Sequence, residues 1–95
     1  MNNNKVSIPN RKERISYKYH KQITMQEFEL GEQEFIQLNT LLKLLNFVRS
    51  GGEANHIIDE GFVKVNDIIE KQKRKKLRVG DKVKFQNHLV LIIKS

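Results

Sequence analysis

The sequence predicts an α+β fold, with two short helices packed against a small, mainly antiparallel sheet. Three observations predict it. Ser50 and Glu53 stand in the S-x-x-E spacing of a capping box, where the hydroxyl takes the N–H of Glu53 and the carboxylate reaches back to the N–H of Ser50. Ala54, Ile57 and Ile58 then recur at i, i+3 and i+4 as one apolar stripe, and Gly61 closes the helix in the left-handed conformation. Immediately afterwards the period changes from 3.6 to 2, with Val63 and Val65 on one side and Lys64 and Asn66 on the other. So short a helix cannot bury its stripe alone and needs elements on both sides of it.

Taken in order, residues 1–23 are polar, basic and without apolar periodicity, and read as a disordered arm ahead of a folded domain at 24–95. In the arm, Tyr17, Tyr19 and His20 are able to stack on bases. Residues 24–31 alternate Phe28 and Leu30 with Glu27 and Glu29 and predict a first strand that ends at Gly31. Phe35 and Ile36 continue as an extended lead-in to a helix capped by Asn39 or Thr40, with Leu38, Leu41, Leu42 and Leu45 as its buried stripe and Lys43 outward. Residues 46–49 join the two helices, with Phe47 and Val48 plugging the core. Asn66-Asp67 is a turn, Ile68 and Ile69 start the next extended piece, and Leu77 to Asp81 form a turn feeding another strand. There Val83 and Phe85 face in while Lys82 and Lys84 face out. Gln86-Asn87-His88 reads as a second hairpin turn. The nearly continuous apolar run from Leu89 to Ile93 predicts a strand covered on both faces or clasped by the first strand.

Composition narrows the function classes. The 95 residues make one small domain, and with no cysteine there is neither a disulfide framework nor a thiolate metal site, which points to the cytoplasm. No apolar run approaches the roughly 20 residues that span a bilayer, and the N-terminus has no apolar signal region. The net charge of +7 favours a polyanionic partner. It is unevenly distributed: residues 1–23 carry six basic side chains against Glu13, residues 24–70 three basic and nine acidic, and residues 71–95 nine basic against Asp81. Cations are concentrated toward the two ends, beside an acidic middle.

Residues 35–93 resemble the ribosomal-protein-S-four-type RNA-binding domain, the alpha-L motif, and within it the small stand-alone bacterial members. The resemblance is carried by S-G-G-x-A at 50–54, I-x-E-G-x-V-x-V-N at 58–66, the basic cluster that follows, and G-D-x-V at 80–83, in that order. It implies a non-catalytic protein that binds structured RNA, plausibly ribosomal RNA. Where related sequences usually carry lysine this chain has Asn55, which removes one expected phosphate contact. Glycine is usual at Asp67, and arginine at Gln72.

The RNA-binding set expected on these grounds is Lys43, Arg49, Ser50, Gly51, Gly52, Asn55, Lys64, Lys71, Lys73, Arg74, Lys75, Lys76 and Arg78. A helix N-terminus carries about half a positive charge and unpaired N–H groups that attract phosphate, and Gly51 and Gly52 let a backbone come close. Arg49 is placed to fork onto phosphate oxygens or stack on a base. Six cations between Lys71 and Arg78 repel one another, a cost that a phosphate partner would explain. His20, His56 and His88 are scattered over an arm, a helix and a turn, and no nucleotide-binding glycine motif is present, so neither an enzyme, a metal nor another cofactor is expected. A monomer is the simplest expectation. The alternative to RNA is an adaptor whose basic face meets an acidic protein or an anionic membrane.

Overall fold

The computed structural model describes residues 23–94, so the expected arm lies, apart from Ile23, outside the described residues. The chain runs β1 (Thr24–Glu29), β2 (Ile36–Gln37), α1 (Leu38–Leu44), α2 (Gly51–Asp59), β3 (Val63–Val65), β4 (Ile68–Ile69), β5 (Lys76–Leu77), β6 (Lys82–Phe85) and β7 (His88–Ile93). Five strands form a sheet in the order β1-β7-β6-β3-β4, and β2 pairs with β5 in a separate two-stranded ribbon. The α+β architecture is as the pattern predicts. The sheet is antiparallel except at one edge, where β1 runs parallel to β7 with Met25 beside Leu89 and Phe28 beside Ile92. The last strand is therefore clasped by the first, one of the two arrangements its apolar run allowed.

The core lies between the two helices and one face of the sheet. Leu38, Leu41 and Leu42 of α1 and Ala54 and Ile58 of α2 are buried against Val63, Val65, Val83, Phe85, Val90 and Ile92. Burying each of the larger side chains contributes about 1.5–3 kcal/mol, which supports helices too short to stand alone. Leu45, Phe47 and Ile57 are half-buried at the rim. Alternation along β3 and β6 turns Lys64, Lys82 and Lys84 to the opposite, open face.

Both helices end alike. Asn46 (φ 62°) and Gly61 (φ 82°) take the left-handed conformation just past α1 and α2. In α1 the N–H of Asn46 donates to Lys43 O and that of Phe47 to Leu42 O; in α2 the N–H of Gly61 donates to Ile58 O and that of Phe62 to Ile57 O. These are two Schellman motifs, the first with asparagine where glycine is usual.

Three local expectations are corrected. Neither Asn39 nor Thr40 caps α1: the helix begins at Leu38 after an extended Gln37 that makes no side-chain cap bond. Its first free N–H groups, of Leu38 and Asn39, instead donate to the carbonyls of Lys75 and Lys73 at 2.9 and 3.0 Å. A distant loop satisfies the helix end, so a local cap is unnecessary. Leu77 is a fully buried strand residue opposite Ile36, rather than the start of a turn. The second hairpin turn is Gln86-Asn87 alone, because His88 already pairs with Phe85 and stacks on Phe47 with ring centroids 4.3 Å apart.

Candidate nucleic-acid interface

The start of α2 forms as its sequence requires, with one shift. Ser50 Oγ accepts the N–H of Glu53 at 3.1 Å, but the Glu53 carboxylate accepts the N–H of Arg49 at 2.7 Å instead of that of Ser50. Ser50 is fully extended (φ −152°, ψ 166°), and the carboxylate serves the residue before it. The Arg49 side chain is left exposed at this corner. Gly51 and Gly52 occupy the first helical turn, and neither has a positive φ. A β-carbon added at Gly51 would meet nothing within 4 Å, and one at Gly52 only Ser50 Oγ at 3.8 Å. Nothing in the fold requires glycine at either position.

The basic loop is held at both ends. The carbonyls of Lys73 and Lys75 cap α1, while Lys76 pairs with Gln37 in the β2–β5 ribbon. Lys73 Nζ lies 3.2 Å from Asp59 at the end of α2, the one ion pair among the described residues. Both partners are about half exposed, so the pair adds little stability. Lys76 Nζ sits 4.9 Å above the Phe35 ring centroid, and the Arg78 guanidinium 5.7 Å from it. Phe35, expected only as a lead-in residue, thus orders two of the cations. Lys71 lies beside Gly61, where an added β-carbon would come within 3.7 Å of its side chain. Arg74 is exposed at the loop's turn.

Between the basic loop and the Ser50 corner runs the helix pair. Asn39 Nδ2 donates to Asn55 Oδ1 at 3.1 Å, tying α1 to α2, and Asn39 Oδ1 is buried without a protein partner. Asn55, a member of the expected RNA-binding set, is therefore half-buried and structurally engaged. Lys43 follows Asn39 by one turn on the same side of α1, and Gly51 precedes Asn55 by one turn on α2. The helix pair thus connects the loop's cations to Lys43 and the Ser50 corner.

Lys64 stands apart from this surface. It lies on the open face of the sheet, directly opposite Lys84 of β6. Residues of the two turns at 66–67 and 78–81 also prove structural. Asn66 (φ 53°) and Asp67 (φ 71°) make the two-residue turn between β3 and β4. Asn66 Nδ2 donates to Asp81 Oδ1 at 3.0 Å, and its Oδ1 accepts the N–H of Lys82 at 2.9 Å. The other Asp81 oxygen accepts the N–H of Arg78 at 2.8 Å. The sequence offered no signal for the links from Asn39 to Asn55, from Phe35 to Lys76 and Arg78, and from Asp81 to Asn66, because each joins residues far apart along the chain. Among the described residues no three histidine, aspartate or glutamate side chains gather to hold a metal ion, and no helix is long and apolar enough to cross a membrane.

Comparison with known proteins places the fold in a family. The chain is 39% identical over 69 residues to YbcJ of Escherichia coli (strain K12), covering 73% of this chain and 99% of that protein. It is 38% identical over 55 residues to RlbA of Bacillus subtilis (strain 168), named a probable ribosome maturation protein, over 58% of this chain and 78% of RlbA. The solution structure of E. coli YbcJ, reported to reveal an alfaL motif involved in RNA-binding, superposes with a TM-score of 0.58 at 38% identity. That superposition covers 78% of this chain and 94% of YbcJ. The S4 domain model matches residues 28–93, from near the end of β1 to the end of β7. With its two helices, its mixed sheet and that match across both, the chain belongs to the S4 domain family.

Proposed function

We propose that the protein grips structured RNA, ribosomal RNA in particular, without catalysing a reaction on it. The surface runs from the basic loop (Lys71, Lys73, Arg74, Lys75, Lys76, Arg78) along the α1–α2 pair past Asn55 and Lys43 to Arg49, Ser50, Gly51 and Gly52. Membership of the S4 domain family supports the binding class, as does the RNA-binding motif reported for YbcJ. The name of RlbA supports the ribosomal target.

One observation carries the reading of the surface. Six cations are packed into eight positions of a loop whose backbone is anchored on α1 and β2, and among the described residues only Lys73 has a carboxylate partner. Fixed, mutually repelling and largely unpaired cations are what a phosphate backbone neutralises. The helix-start glycines support it independently. Glycine in a helix costs up to about 1 kcal/mol relative to alanine, and no packing or dihedral need inside the fold explains the pair. A close external backbone does.

In this reading residues 24–95 are the binding domain, and residues 1–23 are a separate arm whose charge raises the encounter rate with RNA at low salt. The deciding experiment is gel filtration of cell extract with and without ribonuclease. Co-migration with ribosomal particles that ribonuclease abolishes supports the proposal. Ribonuclease-resistant association would indicate an acidic protein or membrane partner and sink it.

A further inference from the structure

Phe62 is the residue that the fold and the basic surface both leave unexplained. It is 60% exposed although it stands between Gly61 and the buried Val63. As the residue after the left-handed Gly61, it has the place of the Schellman motif's apolar contact with Ile57, and the two side chains line one shallow groove with Phe85 and Gln86. A leucine would serve that contact. On its other side Phe62 borders a second groove of about 220 Å³, lined by Lys64, Lys84 and Gln86.

The register explains the arrangement. Lys64 and Lys84 lie directly opposite on β3 and β6, and one step further Val63 pairs with Phe85. Side-chain alternation puts Lys64 and Lys84 on the open face of the sheet, and Phe62 and Gln86, just beyond the strand ends, line the same groove from its edge. Like charges opposite one another disfavour a sheet, and among the described residues neither ammonium has a carboxylate partner. An exposed aromatic face beside two unneutralised lysines is the combination that holds single-stranded nucleic acid, the ring stacking on a base and the cations on the phosphates beside it. Gln86, held at φ 56° in its turn, lines both grooves and brings an amide to the edge of such a base.

We infer that the open face of the sheet carries a second RNA contact, in which Phe62 stacks on an unpaired base while Lys64 and Lys84 hold its flanking phosphates. This rests on the RNA-binding reading and extends it: the helix face takes structured RNA, and the sheet face takes an adjoining unpaired nucleotide.

The test titrates the full chain, at low salt, with two labelled RNAs. One is a plain hairpin, and the other is the same hairpin with a short single-stranded tail containing 2-aminopurine. The tail is expected to tighten binding by about tenfold, with quenching of the 2-aminopurine fluorescence as it stacks. Phe62→Leu keeps the contact with Ile57 and should lose both effects while binding the plain hairpin unchanged; Phe62→Tyr should retain both. Replacing Lys64 and Lys84 by glutamine should shrink the tail's contribution and its salt dependence. A tail that adds nothing to the unaltered chain, or a contribution that survives Phe62→Leu, overturns the inference while hairpin binding leaves the broader reading standing. A polyglutamate peptide bound in its place and released by Phe62→Leu would also overturn it, marking a docking point for an acidic protein. Failure to bind either RNA would remove both readings.

Discussion

The backbone carbonyl of Lys73 accepts the N–H of Asn39 at 3.0 Å, so the most basic loop of the chain is also the cap of its first helix. The cap is made by main-chain atoms, while the charges belong to the side chains. Charge and fold are therefore separable in this loop, and the first prediction depends on that separation.

Replacing Lys73, Arg74, Lys75 and Lys76 together by alanine should leave α1 and the melting transition nearly intact. What is lost is one exposed ion pair and one cation–ring contact, each worth about 1 kcal/mol or less. RNA affinity should fall steeply, and the slope of log affinity against log salt should drop by roughly 3–4. An unchanged slope, measured by fluorescence titration across a salt series, would take the loop out of the interface.

At the start of α2, Ser50→Ala should cost about 1 kcal/mol through loss of the bond from the Glu53 N–H. Arg49→Ala should leave stability unchanged, since only the backbone N–H of Arg49 is engaged, and should weaken RNA binding. Thermal melts that rank Arg49→Ala as the more damaging would reverse the two roles.

The glycine pair gives the clearest opposition between stability and function. Gly51→Ala and Gly52→Ala should each stabilise the domain, by up to about 1 kcal/mol, because both positions are helical and open. The same substitutions should weaken RNA binding by placing a methyl group where the phosphate backbone approaches. Gly61→Ala should instead destabilise by about 1 kcal/mol, since φ there is 82°. Denaturant melts of the three variants, paired with RNA titrations of the first two, decide the matter; affinity unchanged in both would mean that the corner does not touch RNA.

Asp81→Ala should cost about 1 kcal/mol, because the exposed N–H of Arg78 and the amide of Asn66 both exchange a carboxylate for water. Its effect on RNA affinity should be no greater than the instability explains. Loss of affinity in a variant shown by its melt to be fully folded would assign Asp81 to the interface after all.

Much of the fold was legible because its signals are local. The Ser50 cap, the stripe at Ala54 and Ile58, the left-handed Gly61 and the Val63/Val65 alternation each depend on residues a few positions apart, and all four stand in the structure. The basic loop and its charge were equally visible. The division of the cations between two faces was not: Lys64 looked like part of the loop's patch until register set it opposite Lys84. The bond from Asn39 to Asn55 was likewise invisible, because the two lie sixteen positions apart.

By itself, then, the sequence determined both helices and the main strands, which face of each is apolar, and where the positive charge is concentrated. Dihedral preference, side-chain period and charge all reside in the residues themselves. Only the tertiary structure decided that β1 runs parallel to β7, that Asp81 clasps Asn66, and that Lys73 and Lys75 cap α1. The caps show the physical reason most clearly. They are main-chain carbonyls, and every residue carries the same one, so no choice of amino acid at position 73 announces the bond. The path of the chain through space alone brings that oxygen to the N–H of Asn39.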